Sequence, residues 1–258
     1  MKTIYPIIVF IALMLNMACG KNNPAQVKNN DTLNAQQQAK DTLTVNPLQE
    51  DTIATVDSTQ VREQPVDISG IQEVWRNDTI IIEEATVNIQ NLAKAFCGQY
   101  AGFQPNKVLL DYLLGEMEEE DKEAYAVNLE QSNGYVAIET TTELPTGTTI
   151  CYWNKRGGLR LVGVWMEQTT ETEKPEKLLL FYDYNPQTKK LTPQTKLVDE
   201  LQRITKKFKS WSLRLPAEGR DIEIMEFSGE DHSDTFQCTY YTWKWNGTSF
   251  HFDPNGHE

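Results

Sequence analysis

"TTICYWNKRGGLRLVGVWME" (Thr148–Glu167) holds two apolar runs separated by Lys155-Arg156-Gly157-Gly158. Glycines supply the positive backbone angles of a tight reversal, and the β-branched and aromatic residues around them favour extended chain. The stretch predicts a β-hairpin. Its second arm is apolar on both alternations: Leu161, Gly163 and Trp165 on one, Val162, Val164 and Met166 on the other. A strand covered on both faces belongs in the middle of a sheet.

The same grammar recurs on both sides. Tyr125–Thr140 turns at Ser132-Asn133-Gly134, and Lys177–Thr192 turns at Asn185-Pro186-Gln187-Thr188. Ser210–Phe227 turns around Ala217-Glu218-Gly219, and Gln237–Asp253 turns at Asn246-Gly247. Five successive hairpins predict a mainly β (α+β) domain built as an antiparallel meander of about ten strands. Barrel, sandwich and open sheet all satisfy this pattern.

Two short helices precede the meander. Ile89, Leu92, Ala93 and Phe96 fall at i, i+3, i+4 and i+7, with Gly98 placed to end the first. Pro105 suits the opening turn of the second, and Leu109, Leu110, Leu113, Leu114 and Met117 line its apolar side. Leu197, Leu201, Ile204 and Phe208 predict one further helix inside the meander.

A two-residue Asn-Gly turn places Trp245 opposite Thr248, Trp243 opposite Phe250 and Tyr241 opposite Phe252. These aromatic residues share a face, read as a core face in preference to a sugar-stacking platform.

The chain carries a formal charge of −13, and the part beyond residue 70 holds 19 Lys/Arg against 30 Asp/Glu. Such a domain is poorly suited to phosphate backbones, and no basic stripe with interleaved aromatics is present, so nucleic acid is not an expected partner. Cys97, Cys151 and Cys238 fit no metal or redox spacing and sit among apolar residues, which suits buried thiols. A Cys151–Cys238 bridge is the one pairing that joins two expected strands.

Catalytic signatures are missing. The sequence has no nucleophile elbow, zinc-binding helix motif, phosphate loop or dinucleotide fingerprint, and nothing calls for a cofactor or metal. His232, His251 and His257 all lie near the end, and "EDHSDT" (230–235) reads as a polar loop. The run Glu116, Glu118, Glu119, Glu120, Asp121 and Glu123 lacks the alternation of a calcium loop. At the end of a helix such charge opposes the helix dipole, which marks the run as a partner-facing acidic cluster for a basic protein or a cation.

The N-terminus sets the expected compartment. Lys2 is followed by the apolar run Ile4–Met17 and by Ala18-Cys19-Gly20. The run has the length of a signal-peptide core and is shorter than a bilayer span. A small residue followed by Cys resembles the lipobox of bacterial lipoproteins, although Leu15 sits one position further from Cys19 than usual. The resemblance implies a signal peptide over 1–18, a lipid on Cys19 and an outer-membrane location, on either the periplasmic or the cell-surface face.

Residues 19–70 lack aromatic residues and any sustained apolar period, and they read as a disordered tether. Within it and its continuation, Asp31-Thr32-Leu33, Asp41-Thr42-Leu43, Asp51-Thr52-Ile53, Asp57-Ser58-Thr59 and Asp78-Thr79-Ile80 repeat one triplet. The triplet resembles the O-glycosylation signal of Bacteroidota. The resemblance implies glycans on Thr32, Thr42, Thr52, Ser58 and Thr79.

Residues 71–258 then form a single β-rich domain. The expected function is a lipid-anchored envelope protein presenting a non-enzymatic binding domain to a protein or glycan. Two other functions are carried forward: an acidic inhibitor of a basic hydrolase, similar in role to lysozyme inhibitors, and a hydrolase using a carboxylate pair.

Overall fold

The computed structural model describes residues 65–84, 87–142, 144–169, 175–228 and 237–257. The expected signal peptide and the tether up to residue 64 lie outside them, as do Cys19, Thr32, Thr42, Thr52, Ser58 and His232. The first element among the described residues is helix α1 (Ile68–Val74), with the Asp67 carboxylate accepting from the Gly70 amide. Ile68 and Ile71 of this helix are buried.

The two expected helices form as α2 (Ile89–Gln99) and α3 (Gln104–Leu114). Helix α2 starts on the Asn88 side chain, which accepts from the Asn91 amide, and it runs past Gly98 to end at Tyr100. Helix α3 opens with Pro105 and is stopped by Gly115, whose φ of 79° only glycine adopts without strain. A short helix α4 (Glu119–Ala124) follows, and α5 (Thr195–Thr205) fulfils the expectation of a helix inside the meander.

All five expected hairpins form. They pair β2 (Tyr125–Glu130) with β3 (Tyr135–Thr140), β4 (Thr146–Asn154) with β5 (Arg160–Gln168) and β6 (Glu176–Asn185) with β7 (Lys190–Pro193). The last two pair β8 (Ser210–Arg214) with β9 (Ile222–Ser228) and β10 (Gln237–Trp245) with β11 (Phe250–His257). An eleventh strand, β1 (Ile80–Ile81), pairs with β7.

The strands divide into two antiparallel sheets. One has seven in the order β1-β7-β6-β5-β4-β3-β2, and the other four in the order β11-β10-β9-β8. Strand β5, apolar on both alternations, is the middle strand of seven. On one face of this sheet α1 packs on β5 and β6, and α2 and α3 pack on β3 and β4. There Tyr182 of β6 meets Trp75 and Phe96 edge-on, and Arg160 of β5 donates to the Val87 carbonyl. The other face takes the small sheet: Trp153 and Phe181 pack against Phe250, and Trp165 packs against Trp211 of β8.

The register of the last hairpin differs from expectation. Trp245 pairs with Phe250, Trp243 with Phe252 and Lys244 with His251, so the loop has four residues. The Asn246 side chain accounts for the longer loop: its carbonyl accepts from the backbone amides of both Thr248 and Ser249, its amide donates to the Ser249 hydroxyl, and the Asn246 backbone N–H donates to the Ser249 carbonyl. A shift of two residues keeps every side chain on its original face. Trp243 and Phe250 are accordingly buried in the core.

Candidate functional site

Two turns from different sheets and the end of one strand converge on a cleft of about 240 Å³. The β2–β3 turn contributes Ser132 and Asn133, the end of β4 contributes Tyr152, Trp153 and Asn154, and the β8–β9 connection contributes Pro216 and Arg220. Trp245 closes the remaining side.

Local chemistry fixes each wall. Gly134 ends the first turn with φ 67°, and a Cβ there would come within 2.5 Å of the Tyr152 ring, so only glycine lets the turn lie against that tyrosine. The Tyr152 amide donates to the Gly134 carbonyl at 3.1 Å, which ties the turn to β4. On its other side, Tyr152 carries the Arg160 guanidinium 4.3 Å from its ring centre. Across the cleft, the Trp153 indole N–H donates to the Arg220 carbonyl at 2.7 Å. That bond holds the β8–β9 connection down, and buried Leu215 anchors the start of the same connection. The Trp245 amide donates to Asp221 at 2.8 Å, fixing its far end.

The floor is aromatic and the rim polar. Trp153 lies 6.0 Å from Trp245 and meets Phe250 edge-on at 5.1 Å, so the indole floor is continuous with the core. Asn133, Asn154, Ser132 and Arg220 are exposed at the rim. They offer amide, hydroxyl and guanidinium groups, which match the alternating donors and acceptors of a hydroxyl-rich ligand. Among the described residues, those lining the cleft include no carboxylate and no histidine. Cys151 lies at its base, fully buried, and burial raises its thiol well above the ordinary range. A thiol held protonated there is a poor nucleophile.

The sequence-predicted acidic cluster stands elsewhere, and its electrostatics differ from expectation. Gly115 ends α3 before the acids begin, and Glu119, Glu120 and Asp121 occupy the first turn of α4. Negative charge at a helix start agrees with the dipole, so the expected conflict is absent. Glu116, Glu118, Glu119, Glu120 and Glu123 are exposed, and Asp121 is half-buried. Glu119 pairs with Lys122 at 2.6 Å. Among the described residues no group of three or more His, Cys, Asp or Glu side chains is placed to hold a metal.

Thr79 is exposed, but the Asp78 before it is buried and accepts from the Tyr100 hydroxyl at 3.2 Å. The acid of that triplet is thus engaged within the fold. Cys97, Cys151 and Cys238 are all free thiols, so the Cys151–Cys238 bridge is absent.

Sequence reasoning missed the cleft. Asn133 and the residues around Gly219 were legible as turns, and Trp153 and Trp245 as strand residues. Nothing in their spacing announces that they meet, because each comes from a different hairpin. No family model matches this chain, and no curated protein or solved structure matches it.

Proposed function

We propose that this protein is a lipid-anchored envelope protein whose β-rich domain is a binding module and that its cleft takes one residue of a glycan. The supporting observation is the pairing of an indole floor with a rim of Asn133, Asn154, Ser132 and Arg220, with no carboxylate among the described lining residues. A volume of about 240 Å³ suits a single ring more than an extended ligand. In this reading Cys19 carries the lipid in the outer membrane. Thr32, Thr42, Thr52 and Ser58 carry glycans along a spacer, Thr79 does so at its end, and the domain works without a cofactor.

Two measurements test the two halves of the reading. Saturation-transfer NMR of the full chain with mono- and disaccharides of envelope polysaccharides should give ring-proton signals that Asn154→Ala and Arg220→Ala each weaken about tenfold, as loss of a directed hydrogen bond predicts. Saccharide signals that survive both changes would place the ligand outside the cleft. Intact mass of the native protein should exceed that of the lipidated chain and should fall to it when Thr32, Thr42, Thr52, Ser58 and Thr79 are replaced by Ala or Val. An unmodified mass at Cys19 would remove the anchor from the reading.

A further inference from the structure

Every open sheet leaves edge strands whose outer N–H and C=O groups can pair with another chain, and proteins block such edges with Lys, Pro, bulges or brevity. Among the described residues the two sheets have four edges, and three of them are blocked. Strand β1 has two residues. Strand β8 carries Arg214 and follows Lys209, while β11 contains Pro254 and bulges between Asp253 and His257, opposite Tyr240–Thr242 of β10.

Strand β2 has none of these devices. Its six residues, Tyr125–Glu130, include no Lys, Arg or Pro, and all six pair in continuous register with β3. The Thr141 amide donates to the Ala124 carbonyl, which sets the alternation along the strand. Ala126, Asn128 and Glu130 therefore direct their backbone groups at β3, and Val127 and Leu129 direct theirs away from the sheet.

The surroundings of this edge are acidic. Glu118, Glu120 and Glu123 are exposed just ahead of it, Glu130 ends it, and exposed Glu139 lies opposite Ala126 in the ladder. Nearby cations among the described residues are engaged: Lys122 with Glu119, Lys107 with Asp111 and Arg214, which acts on Tyr135, with Glu223. Beside the edge, Ala126 and Ala137 floor a trough of about 170 Å³ rimmed by Tyr135, Glu139 and Thr149.

We infer that β2 is a docking edge for an extended, lysine- or arginine-bearing segment of a partner protein, which adds to the seven-stranded sheet as an eighth strand. Val127 and Leu129 supply the backbone pairing, a basic side chain of the segment lies along Ala126 and Ala137, and its charge meets Glu139. This surface is separate from the cleft. It rests on the reading of the domain as a binding module, and it specifies a partner by backbone geometry and charge.

The test uses the full chain and a nine-residue peptide alternating Lys and Val. Binding by fluorescence anisotropy should be accompanied by slowed hydrogen exchange at the Val127 and Leu129 amides. N-methylation of the peptide amides that face β2 should weaken binding at least tenfold with the charge unchanged. An alternating Glu-Val peptide should not bind. Glu139→Gln and Glu130→Gln should each weaken binding about threefold, the scale of one exposed ion pair.

Val127→Pro removes one outward N–H without touching the ladder to β3 and should abolish binding. Should that variant fail to fold, the N-methylated peptides carry the same test. Equal binding of the N-methylated peptide, or unchanged exchange at Val127 and Leu129 with peptide bound, would overturn the inference. So would sedimentation showing that β2 pairs with a second copy of the chain when no peptide is present. Saccharide binding at the cleft is measured independently, so either proposal can fail alone.

Discussion

The hydroxyl of Thr148 on β4 donates to the side-chain carbonyl of Asn106 on α3 at 2.8 Å, and both residues are buried. The Asn106 amide nitrogen in turn donates to the Tyr100 carbonyl at 3.1 Å. One side chain thus joins the helical layer to the sheet and adds to the Phe103 amide a second donor at the end of α2. Asn106→Leu leaves the buried Thr148 hydroxyl without its acceptor and removes one of the two hydrogen bonds at the Tyr100 carbonyl, which keeps the Phe103 amide, and it should cost about 1–3 kcal/mol. Thr148→Val, which orphans only one acceptor, should cost about 1–2 kcal/mol. Urea denaturation should show lowered midpoints at constant slope.

Gly163 lies beneath the cleft. A Cβ at that position would come 2.9 Å from the Trp153 ring and 3.3 Å from Phe181. Gly163→Ala must displace the indole that holds the Arg220 carbonyl. A cost of about 1–3 kcal/mol is expected. A changed near-ultraviolet tryptophan signal and weaker saccharide binding should accompany it. An unaltered signal would show that the indole has room to spare.

Asp253 is held at about 2, below its ordinary 3.8, chiefly by the hydrogen bond from Lys244, with help from the Asn255 amide. A carboxyl whose pKa is lowered by folding adds stability above its ordinary value and loses that contribution as pH falls toward the folded value. The β10–β11 hairpin should therefore draw on this pair above about pH 4 and lose it near pH 2. Carboxyl-carbon NMR titration should place Asp253 near 2 in the native chain. Lys244→Met should move it upward, and no movement would assign the shift to Asn255.

Burial raises the thiols of Cys97 and Cys151, whereas Cys238 is half-exposed on β10. A thiol reagent applied to the folded protein should modify Cys238 and spare the other two. Peptide mapping after brief maleimide treatment reads this directly. Modification of Cys151 at the same rate as Cys238 would mean that the base of the cleft opens to solvent.

These expectations depend on features that were unequally legible in the sequence. Hairpins announce themselves locally, since Gly134, Gly157-Gly158 and Gly219 mark reversals between alternating runs. The division into two sheets is not local. It is decided by Trp153 and Phe181 meeting Trp243 and Phe250, residues far apart in the chain. The face of the last hairpin was readable and its register was not, because one side chain, Asn246, chose a four-residue loop. The acidic run was misplaced because apolar spacing continues to Met117 while the backbone turns at Gly115. The cleft was hidden for the same reason as the sheet division: its residues come from separate hairpins.

The order of elements along the chain imposes an order of folding. Trp75, Phe96 and Tyr100 precede in sequence the strand that covers them, since their partner Tyr182 lies on β6. Strand β1 likewise waits for β7, with Ile80 pairing to Leu191 more than a hundred residues later. The hairpins close short loops and are expected to form early, whereas the helical layer and β1 need long loop closures and are expected late. A chain emerging from its N-terminus therefore presents its most apolar helices before the surface that shields them. Pulse-labelled hydrogen exchange should find the β4–β5–β6 amides protected ahead of those in α1 and α2. Until β6 is in place, Trp75 and Phe96 lack the aromatic ring that covers them.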